Sequence, residues 1–154
     1  MSFAIRATGF RSVKNHEQVG CAVHLEHRDS HGRTSSRYMA FPLPKMSPPQ
    51  SELWAATVAL SSIPERNRVE PTELRLSEYV TRMLAKNGKE YVAEAKLNKD
   101  EIEALRKLYD TYTKPILVDY DRSALEKVSS DAKAVAETKQ AMDSGSLITD
   151  KAYA

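Results

Sequence analysis

The stretch Ser47–Leu60, SPPQSELWAATVAL, carries the clearest structural signal in the sequence. Ser47 can cap the backbone, Pro48 suits the first position of a helix, and Gln50 completes a capping box three residues after the serine. Apolar residues then recur with helical spacing, at Leu53, Ala56 and Leu60. The pattern predicts a helix over residues 48–63 that packs one face on a sheet.

Five segments that favour β-structure surround this helix. In one of them Val19, Cys21, Val23 and Leu25 alternate with more polar residues, which is the period of a strand with one buried face. The other four predicted strands are Ser2–Phe10, Arg33–Phe41, Thr72–Leu76 and Ile116–Val118, and further helices are predicted over 78–86, from 98 to about 112, and over 123–142. This order predicts an α/β fold, a five-stranded mixed sheet flanked by helices, in which Thr72–Leu76 runs parallel to Ser2–Phe10.

Composition limits the class of protein. The 154 residues are 41% hydrophobic and 29% charged, which fits one domain with one core. The 23 Lys and Arg residues against 21 Asp and Glu residues give a net charge of +2, too nearly neutral for strong non-specific binding of nucleic acid. The sequence has a lone Cys21, no signal-peptide pattern and no apolar run of roughly 20 residues. These features favour a cytoplasmic protein without a membrane span. We expect residues 1–143 to form the domain and residues 144–154 to form a flexible tail.

Three segments resemble ribonuclease H. Ser51–Leu60 resembles the family's first helix, in which a catalytic Glu precedes a Leu and an Ala-rich apolar face, and Glu52 stands at that Glu. Leu76–Val80, LSEYV, is similar to the family's strand-to-helix corner, and the helix that carries Asp131 resembles its closing helix. The resemblance covers nearly the whole chain. It implies a ribonuclease H-like fold and, in an active member, carboxylates that hold two Mg²⁺ ions about 4 Å apart.

Two of the four carboxylate positions that the resemblance implies are lost. Thr8 precedes Gly9 where the family has Asp followed by Gly, and Leu76 stands where the corner has Asp. Glu52 and Asp131 are the two matches. We therefore expect no catalytic residue, no metal and no other cofactor, with Leu76 buried near Thr8 in an apolar pocket.

The remaining carboxylates allow other interpretations. The helix dipole favours a Glu such as Glu52 in the first turn of a helix, and Asp131 can pair with a lysine at the surface. A shift in register would bring Glu73 or Glu78 into the site and restore a metal-dependent nuclease with displaced carboxylates. The pair His24 and His27 does not favour a metal site, because residues an odd number apart on a strand point to opposite faces.

The main functional hypothesis is a catalytically inactive ribonuclease H-like domain that acts as a protein-binding adaptor or scaffold. Its partner is expected on an edge strand or an exposed aromatic patch, with Tyr38, Met39 and Phe41 as candidates. The alternative is a module that binds RNA, DNA or a hybrid through Arg28, Arg33, Arg37, Lys86, Lys89, Lys96 and Lys99. Acidic neighbours dilute both groups of basic residues, which favours the protein-binding hypothesis.

Overall fold

The computed structural model describes residues 1–85 and 97–149. Within them the chain forms six strands and four α-helices, in the order β1 (Ser2–Arg11), β2 (Val19–Arg28), β3 (Thr34–Leu43), α1 (Pro48–Ser61), β4 (Thr72–Leu76), α2 (Glu78–Ala85), α3 (Lys99–Tyr109), β5 (Pro115–Leu117), α4 (Glu126–Thr138) and β6 (Met142–Gly145). β4 has the predicted bounds. α4 is shorter than the predicted closing helix at both ends, because Ser123–Leu125 forms a turn of 3₁₀-helix before it and Lys139, with a φ of 62°, ends it.

The six strands form one mixed sheet in the order β5-β4-β1-β2-β3-β6. β1, β2 and β3 make an antiparallel meander, and β4 lies parallel to β1 with Ala7 opposite Leu76. A parallel neighbour cannot be reached through a tight turn, and α1 lies in the connection that leads from β3 to β4. The predicted α/β class and the parallel pairing of β1 with β4 are confirmed.

Helices cover both faces of the sheet. The larger core lies on the face that carries α1, α2 and α3, and it contains Phe3, Ile5, Leu53 and Leu74. The smaller core lies under α4 and contains Ala22, Ala40 and Val128. The capping box at the start of α1 forms as predicted, because Ser47 Oγ accepts the Gln50 N–H at 3.2 Å and Gln50 Oε1 accepts the Ser47 N–H at 3.0 Å.

The C-terminal part of the described chain differs from the prediction. A tail was expected from Ser144 onward, but β6 pairs antiparallel with β3, which gives the sheet a sixth strand. Beyond β6, Leu147 packs against the larger core, and the Ile148 carbonyl oxygen lies 2.9 Å from Nδ1 of the buried His27. Gly145 has a φ of 78°, and a Cβ there would overlap the Ser36 carbonyl oxygen, so the pairing requires this glycine. Residues 150–154 lie outside the described residues.

None of the described helices could span a bilayer. The longest of them, α1, has 14 residues, and none combines sufficient length with sufficient apolar character. The cytoplasmic location stays a prediction.

Candidate functional site

A polar cleft of about 340 Å³ lies where the carboxyl ends of β1 and β4 meet the helices. β1 contributes Thr8, α1 contributes Glu52, and the residue after β4 is Ser77. The remaining lining residues come from α2 and from the segment that leads into α4, and they are Glu78, Tyr79, Arg82, Tyr120, Leu125 and Ser129. The cleft therefore brings together Thr8 and Glu52, two positions that the ribonuclease H resemblance assigned to the active site.

Gly9 allows α1 to approach this end of β1. A Cβ on Gly9 would overlap the backbone carbonyl group of Ser51, which is completely buried in α1. Only glycine fits at such a close approach of two backbones, and the next residue along α1 is Glu52. The glycine after Thr8 thus explains how the Glu52 side chain reaches the same cleft as Thr8.

The register of β4 corrects the expectation for Leu76. Its side chain is only 1% exposed and packs in the larger core, because Leu76 lies opposite Ala7 and shares that residue's face of the sheet. Successive side chains on a strand alternate between faces, so Ser77 rather than Leu76 is the residue that lines the cleft beside Thr8. The predicted apolar pocket is therefore wrong: Leu76 is buried, but the cleft itself remains polar.

Glu52 is the central carboxylate of the cleft. Burial raises the pKa of Glu52, a hydrogen bond from the Ser77 hydroxyl lowers it, and the negative charge of Glu78 raises it further. Glu78 is one of the two residues that a shift in register was expected to bring into the site, and it does line the cleft. The other, Glu73, instead accepts a hydrogen bond from Arg75 Nε at 2.8 Å.

Asp131 is directed away from the cleft. Its carboxylate accepts a hydrogen bond from the Tyr38 hydroxyl and lies 3.2 Å from Lys127 Nζ. Both contacts lower the pKa of Asp131, with the Tyr38 hydrogen bond as the larger cause. The structure thus pairs Asp131 with a lysine, the alternative given above, and Ser129 is the α4 residue that lines the cleft.

The donor set of the cleft does not fit the two Mg²⁺ ions that the fold implies. Two ions need several carboxylates that bridge them, and the cleft offers Glu52 and Glu78 with hydroxyl groups from Thr8, Ser77 and Ser129. Across residues 1–85 and 97–149, no group of three or more His, Cys, Asp or Glu side chains could hold a metal ion.

The three residues predicted to bind a protein do not form one exposed patch. Tyr38 packs on the α4 side of the sheet, whereas Met39 is buried in the larger core and Phe41 packs against that core. The period of two along a strand separates Tyr38 from the other two residues. β6 also pairs along this part of β3, so the expected free edge is covered.

Carboxylates pair with several of the residues predicted to bind nucleic acid. Arg33 Nε lies 2.8 Å from Asp29, Arg37 Nη2 lies 2.9 Å from Asp143, and Lys99 Nζ lies 4.0 Å from Glu103. Arg28 is exposed and has no ion pair with the described residues. The remaining candidates, Lys86, Lys89 and Lys96, lie outside the described residues.

The two histidines of β2 lie on opposite faces of the sheet, as the strand period requires. His24 is half-buried on the α4 side, and its ring centroid is 5.8 Å from that of Tyr38. His27 is completely buried, with Nε2 3.0 Å from Glu70 Oε1. His27 therefore lies in the interior of the protein, paired with a carboxylate and not with a metal ligand set.

The sheet order, the helices on both faces and the position of the cleft define a ribonuclease H-like fold. RNase H1 from the halophilic archaeon Halobacterium salinarum is 14% identical, with a TM-score of 0.62, over 91% of this chain and 100% of that chain. LC9-RNase H1, described as a type 1 RNase H with the type 2 active-site motif, is 13% identical, with a TM-score of 0.67, over 93% of this chain and 77% of that chain.

A third similar structure is the foamy viral protease-reverse transcriptase in complex with an RNA/DNA hybrid. It is 13% identical, with a TM-score of 0.62, over 89% of this chain. This chain spans one fifth of the viral chain, 20% of its length. No protein-family model matches the sequence, and a search of the curated proteins found no match. At these identities the likeness establishes the fold alone.

Proposed function

We propose that this ribonuclease H-like domain works by binding a partner and does not hydrolyse nucleic acid. The observation that carries the proposal is the chemistry of the cleft, in which Thr8, Ser77 and Ser129 accompany Glu52. A hydroxyl group is a weak ligand for Mg²⁺ compared with a carboxylate, and two-metal hydrolysis depends on carboxylates to hold both ions.

A protein is the proposed partner, and an apolar groove between α1 and α3 supports it. The groove has a volume of about 540 Å³, and its apolar lining consists of Met46, Leu53, Trp54, Val58 and Ala104. Trp54 is 50% exposed although it lies on a helix with a buried face. Half-exposed tryptophans are enriched in protein interfaces, because they bury a large area at a small cost in conformational entropy. This groove replaces the β3 residues as the proposed contact surface of an adaptor.

Binding of nucleic acid is the second candidate. It is supported by the likeness of fold to a viral protein whose structure contains an RNA/DNA hybrid, and by the exposed Arg28. The pairing of Arg33 and Arg37 with carboxylates argues against the hairpin as a phosphate-binding surface, because a paired arginine must give up its partner to bind phosphate.

Purified protein tests the loss of hydrolysis directly. We expect no cleavage of an RNA–DNA hybrid in Mg²⁺ or Mn²⁺. Metal-dependent cleavage that is lost in both Glu52→Gln and Glu78→Gln would overturn the proposal and favour the nuclease with displaced carboxylates. Cleavage that survives both substitutions would come from a contaminating nuclease, which repeated purification removes.

Affinity capture from the native cell separates the two binding candidates. We expect partner capture to survive nuclease treatment of the lysate and to fall at least tenfold in Trp54→Ser, since truncation of an interface tryptophan costs about 2 kcal/mol or more. Val69→Ser is the matched control, because Val69 is 58% exposed and lies outside the groove. Capture that nuclease abolishes, or that both variants reduce equally, would contradict the protein-binding proposal.

A further inference from the structure

We propose that Arg6, His24 and Lys127 form a binding site for a phosphate group on the α4 side of the sheet, next to the cleft. The proposal goes beyond the function proposed above, since it concerns different side chains and does not depend on the Trp54 groove.

The strand register brings the basic residues together. Arg6 on β1 lies opposite His24 on β2 and beside Arg75 on β4, and His24 lies opposite Tyr38 on β3. Paired residues on neighbouring strands share a face of the sheet, and the strands are about 4.8 Å apart. The side chains of this row therefore lie next to one another, and Lys127 reaches them from the first turn of α4.

These residues line a small pocket with a volume of about 110 Å³. Its walls are Arg6, His24, Tyr38, Ala124, Lys127 and Val128, so none of the described residues that line it is acidic. The volume is several times the roughly 10–15 Å³ of such space that one water molecule needs. A tetrahedral oxyanion fits such a space, whereas a nucleoside would have to remain outside it.

Carboxylates surround the row but leave Arg6 without a partner among the described residues. Arg75 binds Glu73, and Lys127 binds Asp131 and also lies 5.0 Å from the centre of the Tyr38 ring. Arg6 is exposed and makes no hydrogen bond or ion pair with residues 1–85 or 97–149. An arginine beside another arginine and a histidine is unfavourable by itself, and a bound oxyanion would offset that repulsion.

The electrostatics of His24 agree with this geometry. Burial lowers the pKa of His24, Glu26 on the same strand raises it, and the charges of Arg6 and Lys127 lower it again. Arg6 and Lys127 are thus near enough to oppose protonation of the imidazole. A phosphate bound between the three residues would reverse this effect, so binding of the anion and protonation of His24 should favour each other.

The position of the pocket limits the source of the phosphate. Thr8, a residue of the cleft, is the next residue of β1 on the same face as Arg6, about 7 Å further along the strand. Leu125 and Ser129 line the cleft, and their neighbours Ala124 and Val128 line the pocket. The phosphate therefore belongs either to a nucleotide or nucleic-acid strand that also reaches the cleft, or to free phosphate.

Titration with inorganic phosphate, followed by NMR of the histidine ring protons, tests the site. We expect a dissociation constant of about 1 mM or tighter, an upward shift in the His24 titration midpoint, and a loss of affinity of about tenfold or more in Arg6→Gln. Arg66→Gln is the matched control, since it removes the same charge from an exposed position outside the pocket. Far-UV circular dichroism checks that both variants fold.

Sulfate provides a second test, because its charge does not change between pH 8 and pH 6. Sulfate should bind more tightly at pH 6 than at pH 8, and His24→Gln should remove that difference. No binding of phosphate at 20 mM, an unchanged His24 titration, or an equal effect of Arg6→Gln and Arg66→Gln would each overturn the proposal.

Oligonucleotides distinguish the two sources of phosphate. A short single strand with a 5′-phosphate that binds more tightly than phosphate alone, and that loses affinity in Arg6→Gln, identifies a nucleic-acid ligand. Phosphate binding with no added affinity from the strand identifies free phosphate. A strand that binds equally well without its 5′-phosphate and is unaffected by Arg6→Gln would contradict the nucleic-acid arm of the proposal.

Discussion

Leu76 and Ser77 are adjacent in sequence, but Leu76 packs in the larger core and Ser77 lines the cleft, so an aspartate at each position should have very different effects. Leu76→Ala should destabilise the protein by about 3 kcal/mol, as truncations of buried leucines do. Leu76→Asp should cost about 1–3 kcal/mol more, because the carboxylate also loses its hydration in the larger core. Ser77→Asp should cost less than Leu76→Asp, because it removes no apolar packing and its side chain, although buried, lines the polar cleft, where Glu52 and Glu78 oppose the new charge.

Urea unfolding followed by far-UV circular dichroism measures these differences, and Mg²⁺ adds a second readout. In 10 mM Mg²⁺ the double variant Thr8→Asp with Ser77→Asp should gain about 1.4 kcal/mol if its dissociation constant is about 1 mM. Thr8→Asp with Leu76→Asp should gain nothing. Equal destabilisation by Leu76→Asp and Ser77→Asp, or Mg²⁺ binding that follows Leu76→Asp instead of Ser77→Asp, would refute the register.

Three further outcomes are expected. Gly9→Ala should destabilise the protein by about 1–3 kcal/mol in urea unfolding, because the new methyl group overlaps the Ser51 backbone; a neutral effect would mean that α1 does not lie against β1. Burial and the charge of Glu78 raise the pKa of Glu52 in the folded protein above its value in the unfolded chain. The protonated carboxyl group therefore adds stability below the unfolded-state pKa, and this stability is lost as the pH rises through the folded-state pKa. The melting temperature of Glu52→Gln relative to that of the parent protein should therefore rise as the pH increases from 4 to 7. A constant difference over that range would contradict the raised pKa of Glu52. Burial raises the pKa of Cys21 to about 12, so its thiol should react with a disulfide reagent at pH 8 only after unfolding, and rapid reaction of the folded protein would contradict its burial.

Local patterns were sufficient for much of the fold. The capping box at Ser47 and the apolar spacing of Leu53, Ala56 and Leu60 identify α1, because both signals depend only on neighbours along the chain. β6 was missed for the converse reason. It has four residues, all exposed, so no alternation distinguishes it from a loop, and its stability comes from pairing with β3.

The residues that line the cleft could not be predicted from local patterns alone, because they depend on how distant strands pair. The similarity of LSEYV to the ribonuclease H corner put Leu76 at the metal position, but the face that each side chain occupies is set by the register of β4 against β1. Asp131 does not line the cleft for a related reason. Asp131 and Ser129 are two residues apart on α4, which turns them about 200° from each other around the helix axis, and only Ser129 reaches the cleft.

One error could have been avoided from the sequence. Tyr38 and Met39 are adjacent on a predicted strand, and the period of two already assigns their side chains to opposite faces. The exposure of Trp54 was harder to predict from the sequence, because it depends on how α1 and α3 are arranged, and the pattern of either helix alone does not specify this arrangement.

β6 has a consequence for the behaviour of shortened forms of this chain. Without residues 142–149, β3 would present a ten-residue outer strand with its N–H and C=O groups free to pair with another molecule. At the other margin of the sheet, β5 is only three residues long and begins with Pro115, which has no N–H to donate. β6 and β5 thus give the described sheet two short outer strands, and removal of residues 142–149 should promote association of the protein through its sheets.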